Sequence, residues 1–229
     1  MSAVSLLVVV GVVLWVGLVV VAQLLTPEQS ALRMGLSGLA TGRHGWLMKL
    51  AYIVRGITAV ALVVVLVGAL AAGPVLVAGI VLLVLWAVCS ALLIVFDTDM
   101  PGDEPTRHGA LHALLAGVSY VAVAVGMLLV SLGLRGQATA VARWALPIAL
   151  LAAVAVFVQF AGFGAAARAA AAGGVVMDDV DAGGSVVAGA PGDTTRGVSV
   201  SGLGRYAGLL QRVFLGLVML WTAVVAVGV

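Results

Sequence analysis

Residues 74–134 read PVLVAGIVLLVLWAVCSALLIVFDTDMPGDEPTRHGALHALLAGVSYVAVAVGMLLVSLGL, two long apolar runs joined by a short segment holding four carboxylates and two histidines. Each run is long enough to cross a bilayer, for which about 20 apolar residues suffice as a helix. Ionised groups are costly in hydrocarbon, so charge gathered at the junction of two spans marks a polar site at one membrane face. Backbone amides in lipid must be satisfied internally, and neither run alternates with period two, so both are expected to be helices rather than barrel strands.

Working outward, four more runs of similar length occupy residues 4–25, 46–71, 142–171 and 203–229. The fold expected is an all-α, polytopic integral membrane bundle of six transmembrane helices, with residues 1–229 forming one transmembrane domain. The first run reads as a span rather than a cleaved leader, because no basic segment precedes its long apolar core. Composition agrees: 64% of the 229 residues are hydrophobic and 9% charged, with mean hydropathy +1.28. Soluble domains carry about 25% charged residues, so a soluble fold is excluded. No basic cluster tracks a phosphate backbone, and nucleic acid is not expected as a partner. The single cysteine, Cys89, lies mid-span as a small hydrophobe. Ala71-Ala72-Gly73-Pro74 predicts a tight hairpin, with Gly ending one helix and Pro starting the next. Trp46 and Trp144 stand where indole rings favour the headgroup layer.

Loop charge sets the expected orientation. The first, third and fifth connections hold Arg33, Arg43, Lys49, Arg107, Arg168, Arg196 and Arg205 in or beside them, whereas the second and fourth hold only Arg135 and Arg143. By the positive-inside tendency the odd connections are cytoplasmic, in a multi-pass protein of a bacterial inner membrane. All nine acids accompany the odd connections: Glu28, Asp97, Asp99, Asp103, Glu104, Asp178, Asp179, Asp181 and Asp193. Residues 173–202 are rich in Gly, Ala, Val, Ser and Asp without a sustained period and read as a flexible loop.

Several polar residues fall just inside the membrane on the charged side. Lys49, Tyr52 and Arg55 recur every three residues, placing Arg55 about 13 Å along its helix from Trp46. Asp97 ends the third run, His108 and His112 share a face at the start of the fourth, Gln159 and Arg168 lie on the return of the fifth, and Arg205 and Arg212 share a face of the sixth. Snorkelling to headgroups accounts for Arg55 and Arg212 singly. The sharper expectation is a network in which one of them pairs with Asp97 and lines a pocket at one leaflet. In that reading Asp97, Asp99 and His112 are the candidate catalytic groups, and Arg55, His108, Gln159 and Arg212 the candidate substrate-binding groups.

His108 and His112 have i, i+4 spacing and, with His44 and a carboxylate, would barely supply a metal-dependent hydrolase, but the Glu of an HExxH helix is missing. A divalent metal is therefore not favoured, and the cofactor is unknown. Asp97-Thr98-Asp99 could share a cation, yet Met100-Pro101-Gly102 directly after it fits a turn better. Gly204 and Gly208 form a GxxxG read as a close packing contact.

On Phe96-Asp97-Thr98-Asp99 with Pro101-Gly102, on His108-Gly109-Ala110-Leu111-His112, on Leu36-Ser37-Gly38-Leu39 before Trp46-Leu47-Met48, and on the stretch from Gln211-Arg212 to Leu220-Trp221, the chain resembles the uncharacterised bacterial membrane proteins grouped as domain of unknown function nine-nine-eight. The resemblance covers nearly the whole chain and implies six helices. Asp97 stands where that family usually has Pro before Thr-Asp, and Ser37-Gly38 where it has Ser-Glu-Leu-Gly. The resemblance thus implies fold and site location but no reaction. Two function classes remain: binding or modifying an amphipathic lipid or isoprenoid at the cytoplasmic leaflet, and a non-enzymatic membrane protein partner or small-molecule transporter.

Overall fold

A computed structural model describes residues 1–71, 73–100, 104–135, 141–171 and 202–229. Six helices long and apolar enough to cross a membrane account for most of them: α1 Ala3–Leu25, α2 Gly45–Ala69, α3 Pro74–Leu92, α4 Arg107–Leu134, α5 Ala142–Ala171 and α6 Ala207–Gly228. No strand occurs among the described residues. The expected all-α bundle of six spans is what forms. The long loop expected at 173–202 and the turn at Pro101-Gly102 fall outside the described residues, apart from Gly202.

Local chemistry sets the helix ends. Ser2 caps α1, its hydroxyl accepting from the Ser5 amide at 3.0 Å, and Thr106 caps α4 by accepting from Gly109 at 3.0 Å. Pro74 opens α3 at its first position, where a missing N–H costs nothing. The hairpin before it differs from expectation in one respect: α2 closes on Leu70, and Gly73 is the N-cap of α3 rather than a terminator of α2. The apolar run of α3 also outlasts its helix. From Leu93 the chain tightens into a turn through Ile94 N–H to Ala91 and Val95 N–H to Leu92, using carbonyls the helix end leaves open. Gly42, at φ +74°, makes the left-handed turn between a short 3₁₀ segment, Leu36–Ala40, and α2.

Neighbouring helices pack in chain order, and α6 returns against α1, closing a ring. Small residues let the backbones approach. A Cβ on Gly79 would lie 2.8 Å from both the backbone N and Cγ2 of Val130, so α3 and α4 nearly touch there. Gly208 of α6 sits against the carbonyls of Ala31 and Met34, so this half of the GxxxG is a packing contact within the chain. Inside the ring, Leu62, Leu66, Leu83, Met127, Val130, Val218 and Val225 fill the half of the bundle remote from the acids. Outside it, Val13, Val60, Val81, Leu114, Val154 and Phe157 are exposed, the surface a bilayer would cover.

Candidate functional site

The described parts of the first and third connections, with α1 ending, α2 beginning, α3 ending, α4 beginning and α6 beginning beside them, gather most of the candidate residues at one end of the bundle. They fall into two tiers rather than one recess. This corrects the expectation of a shared pocket, and the reason is where α3 stops.

The outer tier is held by the segment after α3. Because the helix ends at Leu92, the turn carries Asp97 to the surface, where its carboxylate meets Lys49 Nζ at 2.7 Å with both side chains well exposed. Asp97 therefore pairs with neither Arg55 nor Arg212. Asp99 closes over the start of α4: its Oδ2 accepts from the Thr106 amide at 2.9 Å and its Oδ1 from the Thr106 hydroxyl at 2.6 Å. Its carboxylate also packs directly against Gly109. The hydroxyl bond first and the amide bond second hold the Asp99 carboxyl below the usual carboxylate range. His108 is exposed, its ring 5.6 Å from that of Phe96. Buried His112 donates from Nδ1 to the Phe96 carbonyl at 2.7 Å, so the two histidines grip the same residue of the turn.

The inner tier begins one layer deeper. Tyr52, 6.3 Å from His112 between ring centroids, carries the Arg55 guanidinium 5.4 Å from its own ring centre. Arg55 is 1% exposed and donates from Nε to the Ser90 hydroxyl at 3.1 Å. Its Nη2 has no partner, and no carboxylate approaches it among the described residues. A second strand of contacts crosses the bundle beside it. Gln211 of α6 donates to the Tyr120 hydroxyl of α4 at 2.5 Å and accepts from the Leu36 amide at 2.6 Å. The Tyr120 ring lies 6.4 Å from Phe160, the residue after Gln159. Gln159 is fully buried with both ends of its amide unpartnered, and the buried Ser119 hydroxyl is unpartnered too.

Arg212 stands apart from both tiers. Its Nη1 donates to the carbonyls of Ala31, Met34 and Gly208 at 2.8, 2.8 and 3.1 Å, and its Nη2 to Gln23 Oε1 at 2.5 Å. These bonds fasten the first connection to α6, and they engage Nη1 and one hydrogen of Nη2. The structure thus brings Arg55 and His112 together through Tyr52, keeps Asp97, Asp99 and His108 at the surface above them, and sets Gln159 on the α5 side. Among the described residues no three His, Cys, Asp or Glu side chains converge as a metal would require. Tyr52 is legible from its place in the three-residue spacing, whereas the roles of Ser90, Ser119, Tyr120 and Gln211 at the site are not. Their only signal in the sequence is that uncharged polar residues interrupt apolar spans, with Ser119 and Tyr120 two turns beyond His112.

A profile of a family described as "Protein of unknown function (DUF998)" matches residues 9–228, from within α1 to the end of α6. The chain belongs to DUF998. Neither a curated protein nor a solved structure matches it. The DUF998 description carries no activity, so chemistry has to be read from the two tiers. The outer tier makes ion pairs and caps that are complete in themselves, whereas the inner one holds a cation and an amide with hydrogen-bonding capacity left over.

Proposed function

We propose that this DUF998 chain binds an amphipathic lipid or isoprenoid at the leaflet beside its odd connections, Arg55 meeting the anionic part of the head. The observation that carries this is the Arg55 guanidinium, buried among helices with Ser90 and the Tyr52 ring as neighbours and one nitrogen without a partner. A charge inside a membrane is expensive unless something answers it, and such residues mark binding sites by default. Buried Gln159 and Ser119, on α5 and α4, also keep donors and acceptors without partners, as a polar ligand entering the bundle would use.

Binding requires α2, α3 and α4 to part locally. Their ends are held by the exposed Lys49–Asp97 pair, worth about 0–1 kcal/mol, and by the grip of His108 and His112 on Phe96, so opening is least costly at this end. Catalysis by Asp97 or Asp99 is the weaker reading, since both carboxylates are engaged at the surface and Asp99 is held ionised. Transport is weaker as well, because Leu62, Leu66, Leu83, Met127 and Val130 fill the path beyond Arg55 with close-packed hydrocarbon. We take the odd connections as cytoplasmic, in a bacterial inner membrane; their Arg and Lys excess supports that orientation.

Gentle purification followed by native mass spectrometry tests the reading, with Arg55→Leu as the variant. Wild type is expected to hold an anionic lipid or isoprenoid. R55L is expected to lose it while its thermal midpoint stays level or rises, because an apolar replacement relieves the burial of a charge. Equal retention by R55L, or wild type carrying no lipid, overturns the proposal. Gln159→Leu gives a second reading, a partial loss, should R55L fail to fold.

A further inference from the structure

At the opposite end of the bundle, Arg135 caps the C-terminus of α4 and Arg143 lies in the first turn of α5. Together with Leu146, Pro147 and Leu150 they line a groove of about 340 Å³. Both arginines are exposed, and neither forms an ion pair among the described residues. Among the described residues no Asp or Glu accompanies this end of the molecule: Glu28, Asp97, Asp99 and Glu104 all lie in the first and third connections. Arg143 has a further reason to want an anion: it sits at the positive end of a helix dipole, where a cation is disfavoured. Its guanidinium reaches 5.9 Å from the ring of Trp144, an exposed indole of the kind that fixes headgroup depth.

The groove changes character along α5. Leu150 lies seven residues beyond Arg143, about 10 Å deeper into the bilayer at helical rise, with Leu146 and Pro147 between. Positive charge at the mouth and hydrocarbon below it match a phosphate monoanion bearing acyl chains. We propose that Arg135 and Arg143 form a binding site for an anionic phospholipid in the leaflet opposite Arg55. The site shares no residue with the Arg55 tier and stands whether or not that tier binds anything.

Full-length protein, delipidated in detergent and offered phosphatidylglycerol or phosphatidylcholine, is followed by native mass spectrometry. With Arg55→Leu in every variant, so that the inner tier retains no lipid, the protein with both groove arginines is expected to retain phosphatidylglycerol in preference to phosphatidylcholine, and R135Q/R143Q to lose that preference on the order of tenfold, given the usual attraction of each basic residue to an anionic surface. Arg107→Gln, at the other end of the bundle, is expected to leave it unchanged. Both groove arginines are exposed, so their replacement is expected to leave the unfolding temperature unchanged. Glycerophosphoglycerol, which has the head without the chains, is expected to displace the lipid poorly. The proposal is overturned if R135Q/R143Q keeps the preference, if R107Q loses as much, or if the chain-free head competes as well as the lipid.

Discussion

Asp97 and Asp99 stand two residues apart, yet the fold uses them differently. Asp97 salts an exposed lysine, while Asp99 takes both the amide and the hydroxyl of Thr106, the N-cap of α4. Those bonds favour the ionised form, so the folded-state pKa of Asp99 lies below its unfolded value. Its stabilisation is therefore complete above the unfolded value, about 3.9, and disappears as pH falls through the folded one. Asp99→Asn is expected to lower the thermal midpoint in detergent at pH 7, and its gap to wild type to close as the pH is taken below 3.9. A gap that stays constant across that range would show that the Asp99 charge contributes nothing. Which base each acid meets was not legible from residue order. The spacing of Lys49, Tyr52 and Arg55 gives their depths along α2, with Arg55 about 9 Å beyond Lys49. The partner of Asp97 depended instead on α3 ending at Leu92, and the apolar residues Leu93, Ile94 and Val95 conceal that end from any reading of hydropathy. Arg212 was similarly hidden, because the carbonyls that take its donors belong to backbone, which carries no side-chain signature.

Helix-scale features were plainer, since a run of about 20 apolar residues has few alternatives once lipid is the solvent. The seams between helices were less so, because glycine in a span reads the same whether it faces a neighbour or the bilayer. Gly79 and Gly117 separate the two cases. A Cβ at Gly79 meets Val130 at 2.8 Å, on backbone as well as side chain, whereas nothing lies within 4 Å of one at Gly117. Gly79→Ala must push α3 from α4, and a loss of about 1–3 kcal/mol is expected, as for other overpacked interiors. Gly117→Ala is expected to be neutral or to stabilise by about 0.4–1 kcal/mol, through the smaller conformational freedom of the unfolded chain. Thermal unfolding of both variants in one detergent measures the contrast, and equal midpoints would mean that the α3–α4 seam is not a tight contact. The same substitution thus reports on two faces of one hairpin.

For the whole molecule, six successive spans alternate in direction, so the described parts of the first and third connections lie at one end and the α2–α3 turn, with Arg135 and Arg143, at the other. Among the described residues, nearly all the ionisable groups then share a single face, and the far face keeps Arg135 and Arg143. Such asymmetry is a topological signal, because Arg and Lys in short connections resist translocation. Cysteine labelling reads it directly, helped by the burial of the one native cysteine, Cys89, which is 3% exposed. In spheroplasts treated with a membrane-impermeant maleimide, Arg135→Cys is expected to label at once and His44→Cys only after the membrane is opened. The reverse order would put the Arg55 tier at the outer leaflet and the Arg135–Arg143 groove at the inner one, exchanging the lipid pools that each can reach. Labelling of both positions from outside would contradict the alternation of spans itself. The orientation result therefore decides which leaflet's lipids belong in the binding experiments, as well as which way the chain inserts.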